Sequence, residues 1–254
     1  MKIIKKIFVL CLKQLDLGSA LAVRLTKLTG KSKLPIHPKH FLNKNPWFTK
    51  YINKTDVVLD LGCGNGQNSI KAAKYTKRVI GVDIDKQLLA IAQRSTKAKN
   101  ISFQKLDLEQ KLPFKDSSFD KAFFLDVLEH LKKRDQILKE TRRILKPYGL
   151  LLLGVPNSQT SWKKFQRSAG VCSYSDPDHK IEFSKSSIRI LLKKHKFEIL
   201  HFGYGKFDIP ARGLIDILGS VSLTIYKLVS RIREQLTQEH PQEASGFEIV
   251  AQRL

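Results

Sequence analysis

Residues 57–68 have the sequence Val57-Val-Leu-Asp-Leu-Gly-Cys-Gly-Asn-Gly-Gln-Asn68, an apolar run followed by a loop with three glycines. The apolar run predicts a buried strand, and the pattern after the loop predicts a helix. Glycines permit a tight turn and the close approach of a ligand to the backbone. A strand, a glycine-rich loop and a helix in this order are typical of the ligand-binding edge of a doubly wound α/β sheet.

Strands and helices alternate from residue 55 to residue 156. The predicted strands are 57–61, 78–83, 101–106, 119–125 and 150–155, and the predicted helices between them are 68–75, 86–97 and 134–145. Strands separated by helices of this length form a parallel sheet that is covered on both faces. After a polar loop at 157–183, a helix that begins at Ser184 and strands at 197–202 and 247–251 complete the prediction. The fold class is therefore α/β, a Rossmann-like, mostly parallel sheet of seven strands.

Two segments lie outside this alternation. Residues 1–54 form a basic appendage, with eleven lysines and one arginine against the single acid Asp16, and residues 3–28 have helical spacing of apolar groups. Residues 205–245 form a helical insertion before the last strand, with one broad apolar face over 211–236. The predicted organisation is thus an appendage at 1–54 and a single domain at 55–254. The apolar faces predict ordinary packing, a lid over the strand ends, or contact with a membrane surface.

The charge balance is strongly basic, with 46 Lys+Arg against 23 Asp+Glu and a formal net charge of +23. Such a chain is attracted to nucleic acid or to anionic lipid, although a lysine-rich composition alone gives the same balance. No DNA-binding motif is present in the sequence, and RNA stays open as a partner.

The compartment follows from two further features of the sequence. Three cysteines lie far apart, which argues against a disulfide scaffold or a zinc ribbon. The N-terminal apolar core of 7–12 is too short for a secretion signal, and no apolar run reaches the ~18 residues of a membrane span. We therefore expect a cytoplasmic protein, with peripheral contact at the inner face of the membrane as an alternative.

The acids beside the glycines distinguish two kinds of nucleotide ligand. The dinucleotide fingerprint is G-x-G-x-x-G, whereas this loop is G-x-G-x-G and follows Asp60. A carboxylate at that place would repel a pyrophosphate but suits a ligand with an amino group and a sulfonium, which is S-adenosylmethionine. Asp83 comes seventeen residues after Gly66, at the end of the second strand, where an acid accepts hydrogen bonds from ribose hydroxyls.

The segment from Asp60 to Gly66 resembles the first motif of the class I S-adenosylmethionine-dependent methyltransferases. The resemblance continues in register through Gly81-Val-Asp-Ile-Asp85, Lys105-Leu-Asp-Leu108 and Phe124-Leu-Asp-Val-Leu-Glu-His130. Four motifs in order are a far more specific signal than a single glycine loop. The resemblance implies S-adenosylmethionine as the cofactor.

The resemblance also implies a role for individual residues of the cofactor site. The methionine pocket is formed by Asp60, Gly62, Cys63, Gly64, Gly66 and Leu125. Asp83 binds the ribose and Ile84 packs on the adenine. Asp107 accepts a hydrogen bond from the adenine amino group, and Leu108 lines its pocket.

Within the family, the sequence is most similar to the quinone-biosynthesis type, also called methyltransferase type 11. The similarity rests on Leu112-Pro-Phe114, on 126–130 and on His179-Lys-Ile-Glu-Phe-Ser184. It implies methyl transfer to a small-molecule or lipid-linked acceptor at oxygen or carbon. The alternatives are an RNA methyltransferase and a catalytically silent protein that binds the cofactor or a membrane surface.

Two histidines are the candidate catalytic bases, because a neutral imidazole accepts a proton near pH 7. They are His130 and His179, which are also explained by a structural role beside a helix and in a solvated loop. Small-RNA 2′-O-methyltransferases and one quinone O-methyltransferase type bind Mg²⁺ with an acid-x-x-Glu-His segment and a distant histidine. This resemblance implies a metal set of Asp126, Glu129, His130 and His179, with aspartate in place of the first glutamate. Because oxygen-rich Mg²⁺ sites need more than matching spacing, the cofactor that we favour is S-adenosylmethionine alone.

Overall fold

The computed structural model of the protein describes residues 2–16, 18–30, 32–33, 36–42 and 45–254. Seven strands form one sheet in the order β3-β2-β1-β4-β5-β7-β6. The strands are β1 (Val57–Leu61), β2 (Arg78–Asp83), β3 (Ile101–Lys105), β4 (Phe119–Leu125), β5 (Leu145–Pro156), β6 (Phe197–Tyr204) and β7 (Gly246–Arg253). The pairs β1–β2, β1–β4, β2–β3 and β4–β5 are parallel. The strand order reverses direction between β1 and β4, and ligands of doubly wound sheets bind at such a point.

Three of the described α-helices precede the first strand, and the others lie between strands. The α-helices are α1 (Lys2–Asp16), α2 (Gly18–Leu28), α3 (Lys39–Leu42), α4 (Gln67–Ala73), α5 (Lys86–Arg94), α6 (Arg134–Ile144), α7 (Ser161–Ser168), α8 (Lys185–Lys194), α9 (Arg212–Val221) and α10 (Leu223–Glu239). Short 3₁₀ helices lie at Trp47–Tyr51, Leu128–His130 and Pro241–Glu243. The α/β class and the seven-stranded sheet are confirmed.

The chain divides into two compact units. The sheet unit contains Asn45–Pro156, Asp176–Gly203 and Phe247–Leu254, and the helical unit contains the described residues of 1–44 with Asn157–Ser175 and Tyr204–Gly246. The sequence prediction of an appendage at 1–54 and a domain at 55–254 with an insertion stays a prediction.

The core of the sheet unit forms around its central strands. Val58 of β1, Phe123 of β4 and Leu152 of β5 are each completely buried. The Trp47–Tyr51 segment contributes Phe48, whose ring lies 4.9 Å from the Phe123 ring between centroids. Because β1 and β4 are fixed by this core, the loops that follow their carboxyl ends are held in place.

Three local predictions differ from the structure. The polar loop predicted at 157–183 contains α7, which begins after Thr160, because the Thr160 hydroxyl accepts a hydrogen bond from the Lys163 N–H and caps the helix. The single helical patterns at 3–28 and 211–236 are each two helices. In the second case Ser222 is extended, with φ −133°, and caps the helix that follows it. In the first, residue 17 lies between the helices and outside the described residues.

The helix predicted after Ser184 begins with a capping box. The Ser187 N–H donates to Ser184 Oγ over 3.0 Å, and the Ser184 N–H donates to Ser187 Oγ over 2.9 Å. We expect Ser184→Ala to lower the free energy of unfolding by about 1 kcal/mol, because the Ser187 N–H loses its acceptor. Urea denaturation measures this loss. Ser184→Asn is the control that retains a capping oxygen, and an equal loss in both variants would contradict a capping role.

None of the helices among the described residues is both long and apolar enough to cross a membrane.

Candidate active site

The glycine-rich loop is held against the end of β2. The Gly62 and Cys63 N–H groups both donate to the Val82 carbonyl, over 2.8 and 2.9 Å. Gly62 has φ +74°, and a Cβ atom there would lie 2.6 Å from Val127 Cγ2. Only glycine is compatible with this conformation and this contact. The loop is thereby packed against the segment that follows β4.

Asp83 connects the loop to the next two segments of the site. Its Oδ2 atom accepts a hydrogen bond from the Gly64 N–H over 2.8 Å, and its Oδ1 atom accepts one from the Asp85 N–H over 2.9 Å. Its backbone carbonyl accepts from the Leu106 N–H over 2.9 Å. Each carboxylate oxygen has a second lone pair, so the carboxylate can still accept bonds from two hydroxyls.

The residues predicted to contact an adenine differ in exposure. Ile84 is 61% exposed and Leu108 is only 6% exposed. The Asp107 carboxylate accepts the Glu109 N–H over 2.8 Å and so is oriented by its own loop. Leu125, at the end of β4, is half-buried. The predicted adenine pocket thus has one apolar side chain open to solvent and another within the protein.

Asp60, in β1 just before the glycine loop, is almost completely buried. Its carboxylate accepts a hydrogen bond from the Ser69 hydroxyl of α4 over 2.5 Å. Burial raises the pKa of Asp60 to about 6, and the nearby Asp83 carboxylate adds to the rise. A buried carboxylate of this kind is stabilised by a cationic ligand. Burial also raises the pKa of the Cys63 thiol, so Cys63 is not a thiolate nucleophile at neutral pH.

A cluster of acids and histidines follows β4. The metal-binding atoms of Glu129, His130 and His179 lie within 4.8 Å of one another. The two imidazole rings meet edge to face, with 4.7 Å between centroids. His179 Nδ1 lies 2.9 Å from Glu182 Oε1, and His179 Nε2 lies 3.9 Å from Glu129 Oε1. The structure therefore brings the two predicted catalytic histidines together.

The two histidines have different surroundings. The His179 side chain is 7% exposed and has a carboxylate near each ring nitrogen, whereas His130 is half-buried. Burial lowers the pKa of His130, and the adjacent His179 lowers it further. His130 is therefore neutral at pH 7 and able to accept a proton.

The group of metal-binding atoms described above contains Glu129, His130 and His179 but not Asp126, whose part in a metal set stays a prediction. The sequence predicts Asp126 on one face of a helical turn with Glu129 and His130, but Asp126 has φ +62° and precedes the 3₁₀ turn Leu128–His130. The Asp126 N–H donates to the Gly154 carbonyl over 3.0 Å, which continues the β4–β5 pairing past the strand end. This extended pairing keeps Asp126 out of the turn.

Glu182 is the functional candidate that sequence reasoning missed. It is nearly buried and three residues after His179, within the quoted segment 179–184. The i, i+3 spacing was an available signal, but many loop acids have it. The hydrogen bond to the His179 ring nitrogen becomes apparent only in the folded chain.

Comparisons with known proteins find similarity to methyltransferases. Residues 59–153 match the family model described as a methyltransferase domain. Over 160 residues the chain is 30% identical to a probable S-adenosylmethionine-dependent methyltransferase of Mycolicibacterium smegmatis, with 61% of this chain and 59% of that protein covered. It is 34% identical over 118 residues to a demethylmenaquinone methyltransferase of Lactobacillus johnsonii, with 42% and 48% covered. The chain thus spans only about half of the length of these relatives.

Solved structures show the same fold. An S-adenosylmethionine-dependent methyltransferase of Methanosarcina mazei superposes with a TM-score of 0.57 at 24% identity, over 83% of this chain and 98% of that one. The four motifs, the matched domain and this shared fold agree over the same strands and loops. Over residues 59–153 the chain therefore matches a methyltransferase domain, and it is similar to S-adenosylmethionine-dependent methyltransferases in sequence and in fold.

Proposed function

We propose that the protein transfers a methyl group from S-adenosylmethionine to a small-molecule or lipid-linked acceptor, at oxygen or carbon. One observation carries the proposal: the glycine loop contacts Val127, three residues before His130, and so links the cofactor motifs to the histidine cluster. A cofactor site and a neutral base thus lie along one short stretch of chain. This proximity supports methyl transfer, in which an acceptor must be held beside the cofactor.

The residues present fit S-adenosylmethionine by their chemistry. Asp83 offers carboxylate lone pairs for ribose hydroxyls, and the buried Asp60 carboxylate favours a cationic methionine end. The cofactor supplies an electrophilic methyl group, and displacement at that carbon needs an aligned acceptor. In the proposed reaction His130 removes the acceptor proton, while His179 orients it through the edge-to-face ring contact.

The acceptor class rests on weaker support than the reaction type. The demethylmenaquinone methyltransferase named above acts, by its name, on demethylmenaquinone, which favours an acceptor of a similar class here. The basic charge supports RNA as a second candidate. A protein that binds the cofactor without catalysis is a third.

Transfer of labelled methyl from S-adenosylmethionine tests these candidates together. The protein is incubated with a cell extract, and the extract is then separated into lipid, small-molecule, RNA and protein pools. Label in the lipid or small-molecule pool supports the proposal, and label in RNA overturns its acceptor class. No label in any pool, with cofactor binding intact by calorimetry, supports the silent protein.

The pH dependence of cofactor binding should report the state of Asp60. We expect affinity for S-adenosylmethionine to fall as the pH decreases from 7 to 5, because Asp60 becomes protonated near its pKa of about 6 and no longer attracts a cation. The limit is a tenfold loss per pH unit below the pKa. Calorimetry between pH 5 and 7 measures it. Asp60→Asn should give weaker and flat binding, whereas a persisting slope in that variant would assign the titration to another group.

Removal of Mg²⁺ should leave methyl transfer within about twofold of its original rate. The cluster of Glu129, His130 and His179 offers two imidazoles and one carboxylate, whereas Mg²⁺ prefers oxygen ligands. Initial rates are measured after EDTA treatment and again after Mg²⁺ or Zn²⁺ is added. A loss that Mg²⁺ restores would contradict this expectation. A loss that only Zn²⁺ restores would assign the cluster to a metal that binds imidazole.

A further inference from the structure

The first helix of the helical unit exposes its apolar face. Six large apolar residues of α1 are between 37% and 75% exposed: Ile3, Ile4, Ile7, Phe8, Leu10 and Leu15. At 100° per residue they share one side of the helix. A surface helix of a globular domain normally buries this face and exposes its charged one. α1 therefore has the opposite orientation to an ordinary surface helix.

Two lysines of α1, outside its exposed apolar face, make contacts within the helical unit. Lys5 Nζ donates to Ser168 Oγ over 2.7 Å and lies 4.5 Å from the centre of the Phe165 ring. Lys13 Nζ donates to the Cys172 carbonyl. The orientation of α1 is thus fixed by its basic side, on α7 and the segment after it.

α9 and α10 show the same reversal. Besides charged side chains of α10 such as Lys227 and Arg231, they expose six large apolar side chains, each from 41% to 60% exposed: Leu214, Leu218, Val221, Ile225, Leu228 and Ile232. Their buried side chains are largely polar, and four of these are Asp216, Ser230, Arg233 and Thr237. The reversal is therefore a property of the helical unit and not of one helix.

Polar contacts hold the interior of the helical unit together. Asp216 accepts hydrogen bonds from the Ser19 and Tyr226 hydroxyls and lies 3.3 Å from His37 Nε2. Burial alone would raise the pKa of Asp216, but His37, Ser19 and the charge of Arg212 lower it to about 2. Gly18 allows close approach, since a Cβ atom there would lie 2.9 Å from the Gly213 carbonyl oxygen. Rotating the helices to bury their apolar faces would break these contacts, so the faces need a partner outside the unit.

The charge of this surface distinguishes between two partners, a second copy of the chain and a lipid bilayer. Apart from Lys5 and Lys13, which bind within the unit, α1 and α10 expose the basic side chains Lys6, Lys227 and Arg231. A second copy of this chain would bring two basic surfaces together, which repel each other. An anionic bilayer attracts them and also accepts the apolar side chains at its acyl boundary. No described helix is able to span that bilayer, so the helices would lie within its interface.

We propose that the exposed apolar faces of α1, α9 and α10 form a membrane-binding surface that inserts into the interface of an anionic lipid bilayer. The basic side chains that flank these faces contact the lipid phosphates. The surface lies wholly in the helical unit and uses none of the proposed catalytic or cofactor residues. Its test is therefore independent of methyl transfer.

Sedimentation with lipid vesicles tests the proposal on the full chain. We expect most of the protein to bind vesicles of three parts phosphatidylcholine to one part phosphatidylglycerol, and little to bind phosphatidylcholine alone. Ile7→Glu and Leu228→Glu should each lower vesicle affinity at least tenfold. Ile190→Glu is the matched control, because Ile190 is an equally exposed apolar residue, at 68%, on α8 of the sheet unit. Thermal melting verifies that all three variants fold.

A label on α1 distinguishes insertion from simple charge attraction. Cys11 is exposed on the apolar side of α1 and, in a Cys172→Ser variant, carries an environment-sensitive fluorophore. Anionic vesicles should shift its emission to the blue. Absence of this shift, absence of binding, or equal binding by Ile7→Glu and the native chain would overturn the proposal. So would a native dimer that Ile7→Glu or Leu228→Glu dissociates, because a second copy would then cover the surface.

Discussion

Replacing Asp83 with alanine should weaken the binding of S-adenosylmethionine by about 100-fold or more while the protein stays folded. Two ribose hydroxyls would lose a charged acceptor, and each such hydrogen bond contributes roughly 1.5–3 kcal/mol. The Gly64 N–H would also lose its 2.8 Å contact with the carboxylate, which loosens the loop. Isothermal titration calorimetry with S-adenosylmethionine and with its demethylated product measures both losses.

Asp85 provides the matched control for this experiment. It lies two residues away and caps α5 by accepting from the Gln87 and Leu88 N–H groups. Asp85→Asn retains a capping oxygen and should leave cofactor affinity unchanged. Affinity within about threefold of the native value in Asp83→Ala would place the ribose elsewhere and remove the main support for this cofactor geometry.

The second large effect is expected at His130. His130→Ala should lower kcat by about 10²- to 10⁴-fold, the usual contribution of a general base, with cofactor affinity nearly unchanged. Burial, together with the adjacent His179, lowers the pKa of His130 from its usual value. The rate of the native protein should therefore fall on the acid side only below that value. Initial rates between pH 5 and 8, with the acceptor found by labelling, measure both effects.

A variant of Glu182, which contacts His179, distinguishes a catalytic base from a residue that positions it. Glu182→Gln retains a hydrogen-bond acceptor for His179 and should lower kcat less than His130→Ala does. The substitution removes a negative charge beside His179. It should thereby change the pH at which the rate falls on the acid side. Full activity in His130→Ala would show that His130 does not remove the acceptor proton. An acceptor that is already ionised would give this result.

The sheet was largely predictable from sequence, because its signals are local. β1, β2 and β4 have the bounds that their apolar runs predict. β5 starts five residues earlier than its apolar run, since Leu145 pairs with Phe119 across a register shift. No local pattern specifies a pairing that depends on the partner strand. α7 was not predicted, because its short amphipathic segment lies within a polar stretch.

The site was predictable where two motifs lie at the ends of neighbouring strands. The glycine loop and Asp83 occupy the places that the motifs predict, at neighbouring strand ends. The histidine cluster required the fold, because His130 and His179 are separated by forty-nine residues and Glu182 joins them only after the loop folds back. Asp126 was misplaced because a positive φ at a strand end has no reliable signal in an aspartate.

By itself, the sequence determined that this chain contains an α/β sheet with methyltransferase motifs, and that residues 3–28 and 211–236 have apolar stripes. Only the tertiary structure decided which way those stripes face. Periodicity specifies which side chains share a side of a helix, but the contacts of the opposite side decide whether that side is buried. Here Lys5 and Asp216 form those contacts, and the apolar side is left at the surface.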